Sequence, residues 1–339
     1  MLVRIAVDLG CAELSMEDMI NACFLFLREY PDSYLGLFGD VDFNDKNIPS
    51  DIFSRIKIHT SNIIVPPTIS AMEALRNYRN SSMGLALKSV KNDQYSVAIS
   101  CGNTGALIVL ATIIIGRISG ISRPALMAVL PTKQDTKVYM MDIGANHEVS
   151  ASDLSNFAVM GSIALQHNGI SKPIVALLNI GSEDQKGTQL IQKAHYLLHH
   201  NTAINYNGFI EPHHLFDNAC NLVICDGFSG NLVIKTMEGT VHLILHELKN
   251  HRQSRYMEKL YMYGMRNILR RKLFKIHPDE NSGALLLGLK NTVVKSHGGS
   301  SFKGFYNALR KAYLMSKTNL ALNVRDALEK QNSIIEKTT

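Results

Sequence analysis

Short apolar runs rich in β-branched residues recur along the chain, each closed by Gly, Asp, Asn or Ser and separated by stretches with helical periodicity. Ile5 to Val7, Tyr34 to Phe38, Ser96 to Ile99, Val138 to Met141, Ile174 to Leu178 and Leu222 to Cys225 predict strands of this kind. Most are apolar at consecutive positions rather than alternate ones, as strands covered on both faces are. The pattern therefore predicts an α/β fold, a mostly parallel central sheet with helices on both faces. A long helical texture sets in near residue 240 and ends near Ile276; a strand over Asn291 to Lys295 and a helix from Phe302 follow. This reads as a single large α/β domain over 1–328, with a helical insertion at about 240–280 and a polar tail, 329–339, expected to fray.

Composition narrows the class. With 339 residues and 46% hydrophobic content the chain can bury a large core. Its longest apolar stretch, Ala106 to Ile115, falls far short of the roughly 20 residues a membrane span needs and reads as a buried helix. The N-terminus begins as a strand without the pattern of a signal peptide, so a cytoplasmic location is expected. The five cysteines are scattered with no C-x-x-C pair, which suits reduced, buried thiols. The net charge of +6 is concentrated: 249–275 holds nine basic residues against the single acid Glu258, leaving the rest of the chain at −2. Within it Met257, Leu260, Tyr261, Gly264, Met265 and Ile268 recur at helical spacing. The basic positions Arg255, Lys259, Arg266, Arg270 and Arg271 would then contact an acidic carrier protein, an anionic membrane or a dimer partner. No DNA- or RNA-binding module surrounds them, so no nucleic acid is expected.

The chemistry concentrates at strand ends, where open α/β sheets bind ligands. Gly102, Asn103, Thr104 and Gly105 precede a helix, so free backbone N–H groups and the positive end of a helix dipole predict an anion pocket. Asp142 and Asn146 follow the strand ending at Met141. Asn179, Ser182, Glu183 and Lys186 form a loop whose lysine could neutralise a phosphate while Glu183 holds it. Asp226, Ser229 and Asn231 form the fourth loop. It misses the G-x-S-x-G pattern because position 231 is Asn, which favours substrate positioning by Ser229 and Asn231 over a serine acyl-enzyme. There is no G-x-G-x-x-G and no G-x-x-x-x-G-K-[ST], so no nucleotide cofactor is expected. The thirteen histidines form no metal signature, and no metal is expected. His297, within Ser296-His297-Gly298, could donate a proton or hold a loop.

Taken in order, these segments resemble the PlsX family of phosphate acyltransferases. The resemblance runs through Ile5-Ala6-Val7-Asp8, Asn80-Ser81-Ser82-Met83, Ser100 to Ala106, Arg123-Pro124-Ala125, Asp142 to Asn146, Leu177 to Gly187, Cys225 to Asn231, and Gly283-Ala284-Leu285-Leu286 leading to Ser296-His297-Gly298. It implies a fold like that of phosphotransacetylases and isocitrate dehydrogenase. It also implies conversion of fatty acyl-[acyl carrier protein] and inorganic phosphate to acyl phosphate in the first steps of phospholipid synthesis. No cofactor is implied. The implied partners are acyl carrier protein, a second copy of the chain as a homodimer, the inner face of the membrane, and a downstream glycerol-phosphate acyltransferase. On this reading Lys186, Asn231, Asn103 and His297 are the catalytic candidates, and the remaining loop residues bind substrate. A phosphotransacetylase-like enzyme on coenzyme A thioesters and a non-catalytic scaffold for lipid enzymes are the alternatives. Two positions depart from the family pattern: Gly10-Cys11-Ala12-Glu13 stands where the family has glycine-glycine-aspartate, and Ser282 replaces a glycine.

Overall fold

The computed structural model describes residues 2–11, 13–43, 48–134, 136–249 and 278–338. The basic positions Arg255, Lys259, Arg266, Arg270 and Arg271 lie outside the described residues, as does most of the helical insertion.

The described strands form one sheet. They are β1 (Val3–Asp8), β2 (Ser33–Gly39), β3 (Ile56–Thr60), β4 (Val97–Ser100), β5 (Ala125–Pro131), β6 (Lys137–Met141), β7 (Ile174–Leu178), β8 (Asn205–Ile210), β9 (Leu222–Ile224), β10 (Ala284–Leu287) and β11 (Thr292–Lys295). Their order is β3-β2-β1-β4-β11-β10-β5-β6-β9-β7-β8. Seven neighbouring pairs are parallel, and the three antiparallel ones, β11 with β10, β10 with β5 and β5 with β6, sit together at the centre. The sheet therefore comprises two parallel halves that run in opposite senses, joined by an antiparallel middle.

Among the described residues the sheet is flanked by helices α1 (Met16–Glu29), α2 (Ser50–Phe53), α3 (Ala71–Asn77), α4 (Ser82–Lys91), α5 (Thr104–Ile114), α6 (Ala151–His167), α7 (Gln189–His199) and α8 (Gly227–Lys249). The helices Phe302–Ser316 and Leu320–Thr338 follow. The last of them includes 329–338, most of the segment expected to fray. Among the described residues, no helix is long and apolar enough to cross a membrane.

Alternation along the strands divides the core. On one face Ile5, Val7, Met127, Met141, Ile224, Leu285 and Val294 belong to one continuous cluster, covered by α1, α6, α7 and the two C-terminal helices. On the other face there are two clusters. Ala6, Ala98, Leu126, Leu286 and Val293 pack under α3, α4 and α5, and Leu130, Val138, Met140, Ala176 and Val223 pack beside α8. Helix α5 is less enclosed than its apolar sequence suggests: Leu107, Leu110 and Ile114 face inward while Ile113 is half exposed.

Candidate active site

Two buried carboxylates shape the loops that leave β1, β4 and β6. Asp8, at the end of β1, accepts hydrogen bonds from Ser82 Oγ (2.6 Å), Ser100 Oγ (2.7 Å) and the Gly10 N–H (3.0 Å). Ser100 Oγ in turn accepts the N–H of Gly102 at 3.1 Å. One side chain thus fixes both Gly10 and, through a serine, Gly102. Asp142, after β6, does the same for its own loop. Its oxygens accept the N–H groups of Leu126 (3.0 Å), Gly144 (3.1 Å), Ala145 (2.9 Å) and Asn146 (2.7 Å), and Asn146 Nδ2 at 2.9 Å. Burial pushes both carboxyl pKa values up, opposed by the hydrogen bonds they accept.

Between the two face clusters lies a cleft of about 520 Å³. Its floor is the antiparallel middle of the sheet, with Leu126, Ala128 and Leu130 on one face of β5. One wall is the loop Gly102 to Gly105 entering α5, with Cys11, Glu13, Lys295, His297 and Gly298; the other is α8 with Asn231, Ile234, Lys235, Met237, Glu238 and Val241. Asn103 caps α5, its Oδ1 accepting the Ala106 N–H at 2.8 Å and its Nδ2 donating to Pro67 O at 2.8 Å. The amides of Thr104 and Gly105 are first-turn donors with no acceptor inside the helix, and both residues line the cleft. The start of α8 is pressed against the β6 loop: a Cβ at Gly230 would lie 1.9 Å from Asp142 O, which only glycine avoids. Asn231 then stands over Gly144, whose φ of +129° and closeness to the Asn231 side chain likewise suit glycine.

The cation buried in this cleft is Lys295, at the end of β11. Its ammonium donates to Cys101 O at 3.4 Å and closely to Ser296 O, and burial lowers its pKa. At the mouth, Lys235 Nζ lies 2.8 Å from Glu238 and 3.3 Å from His297 Nε2. The Gly299 N–H donates to His297 Nδ1 at 3.1 Å, while Nε2 faces the Lys235 ammonium and, at 3.6 Å, Glu238. Burial holds the His297 pKa below its ordinary value, so the ring is neutral at pH 7. Cys11, half buried in the wall, has its thiol pKa lowered to about 6, chiefly by hydrogen bonding from the Cys101 side chain.

Of the residues singled out from sequence, the structure gathers Gly102, Asn103, Thr104, Gly105, Asn231 and His297 around this cleft. The rest do not line it. Asp142 is fully buried with both oxygens occupied by its own loop, and Asn146 Nδ2 is shared between Asp142 and Pro124 O. Asp226 accepts the N–H (2.8 Å) and Oγ (2.7 Å) of Ser229, which makes the pair a cap for α8. Asn179 ties its loop together through Lys186 O (3.1 Å) and the Ile180 N–H (2.9 Å). Lys186 pairs with Glu183 at 2.7 Å where both side chains are more than half exposed, and Ser182 shares that exposed loop. Lys186, carried by the loop after β7, does not line the cleft, whereas Lys295 does. Sequence reasoning missed Lys295, Lys235 and Glu238. The available signal was the position of Lys295, directly before Ser296-His297-Gly298 at a strand end.

The family model described as "Fatty acid synthesis protein" matches residues 3–323. The "Phosphate acyltransferase" of Actinobacillus succinogenes is 36% identical over 339 residues, covering 97% of this chain and 99% of the relative. That of Pseudoalteromonas atlantica is 35% identical over 331 residues, covering 96% and 97%. Among solved structures, a phosphotransacetylase from Streptococcus pyogenes superposes with a TM-score of 0.62 at 14% identity, covering 93% of this chain and 94% of its own, a likeness of fold.

Proposed function

The chain belongs to the phosphate acyltransferase family and is an acyltransferase; from that premise we propose that its substrates are inorganic phosphate and the fatty acyl thioester of acyl carrier protein. The products are acyl phosphate and free carrier thiol, at the start of phospholipid synthesis. The observation that carries this reading is the placement of helix-start amides and a buried ammonium in one cleft.

Phosphate dianion attacks the thioester carbonyl, a C–O bond forms, the C–S bond breaks, and the electron pair leaves on sulfur. Such a reaction needs positioning and charge stabilisation more than strong acid or base. The Thr104 and Gly105 amides and Lys295 hold the dianion or the oxyanion that develops from the carbonyl. Asn231 orients the thioester from the opposite wall. His297, at the mouth of the cleft, takes up the proton that phosphate loses and passes it to the departing sulfur. The basic segment 249–275 suits an acidic carrier protein, whose approach it would steer.

The assay is phosphate-dependent release of carrier thiol from an acyl thioester, run against the coenzyme A thioester. Lys295→Met should lower kcat/KM for phosphate about 10²–10³-fold, as loss of a charge-stabilising group does. Lys186→Ala, which breaks only an exposed ion pair, should stay within about threefold. The reverse ranking would move the site to the Lys186 loop. Preference for the coenzyme A thioester would replace carrier protein as the substrate.

A further inference from the structure

The cleft has two chemically different sides, and helix α8 carries both. Asn231, Lys235 and Glu238 stand four and three residues apart and form a polar stripe toward Lys295 and His297. Ile234, Met237 and Val241 form a second stripe, apolar, on the adjoining face of the same helix. Opposite it Leu126, Ala128 and Leu130 share one face of β5, with Ile143 beside them. Ala128, Ile143, Ile234 and Met237 remain partly exposed there, so this apolar side is open. Ala128 is the smallest of the three floor residues, a dent between two leucines.

Resting on the acyl-transfer reading above, we propose that this side is the channel for the fatty acyl chain, and that Ala128 and Met237 set the longest chain it accepts. A carbonyl held at the Gly102 to Gly105 loop must carry its alkyl tail somewhere within the same cleft, and the β5 side offers the longer run of apolar wall, beyond Val65 and Pro67 near the loop itself. The volume, about 520 Å³, falls within the range of pockets that enclose small ligands. Each methylene buried there strengthens binding about fourfold, so a side chain that shortens the channel penalises long chains and spares short ones.

The test compares palmitoyl and butyryl carrier thioesters. Ala128→Leu should lower kcat/KM for palmitoyl at least about tenfold while butyryl stays within about twofold, and Met237→Ala should shift the ratio toward palmitoyl. An unchanged ratio in both variants, or equal loss on both substrates, overturns the proposal. Displacement of the fluorescent fatty acid cis-parinaric acid, measured without phosphate, separates this inference from the reading beneath it. If the wild-type protein transfers nothing to phosphate yet binds the probe, and Ala128→Leu weakens that binding, the channel stands and the acyl-transfer reading falls. Should Ala128→Leu fail to fold by circular dichroism, the Met237→Ala ratio decides alone.

Discussion

At the scale of single residues, the cleft wall holds a thiol in the segment Gly10-Cys11-Ala12-Glu13, which departs from the glycine-glycine-aspartate that the resemblance implies. Cys11 has a pKa lowered to about 6, so above that pH it is a thiolate; burial pushes the thiols of Cys23, Cys220 and Cys225 up, and that of Cys101 also rises, chiefly through Cys11. Iodoacetamide at pH 7 should therefore modify Cys11 alone, giving one mass adduct, with a rate that rises through pH 6 and is flat to pH 8. Phosphate or acyl thioester should slow it, since the thiol lines the same cleft. An inflection near the ordinary thiol value of about 8.5 would contradict this environment. The sequence marked Cys11 as a departure but not its neighbours. Cys101, Lys295 and Gly298 reach it from positions 90 or more residues away, so the charge around it becomes visible only in three dimensions.

At the scale of elements, the strand-end loops were legible because glycine and amides closing a β-branched run have few uses other than turns and ligand contacts. What those loops do with their polar groups was not legible. Asp142 has the composition of a phosphate-site residue, yet five donors from its own loop and from β5 converge on it. Asp142→Asn keeps one acceptor oxygen and leaves one or two buried donors unpaired, so stability should fall by about 2–4 kcal/mol in urea unfolding. A change below about 0.5 kcal/mol would mean the loop holds its shape without the carboxylate. Asn103→Ala removes the α5 cap and should cost about 1 kcal/mol. It should also raise KM for phosphate, because the Thr104 and Gly105 amides lose their fixed direction.

At the scale of the whole molecule, six of the strands were readable as apolar runs, β11 was readable as the strand over Asn291 to Lys295, and so was the layered architecture. Strands β3, β5, β8 and β10 were not singled out; Ala125–Pro131 and Ala284–Leu287 carry little of the β-branched signature, and with them the reversal of sheet sense stayed hidden. On one face a continuous apolar cluster spans both halves of that sheet. A chain stitched in this way should melt as one unit, with calorimetric and van't Hoff enthalpies equal; two resolved transitions would mean that each half folds by itself. The order of strands also dictates timing. Residues 284–295 slot between β4 and β5, two strands that precede them by more than 150 positions. A growing polypeptide on the ribosome consequently lacks part of the floor of its own cleft, the buried ammonium and the imidazole until synthesis passes His297, so fragments ending before that point should show no activity at all.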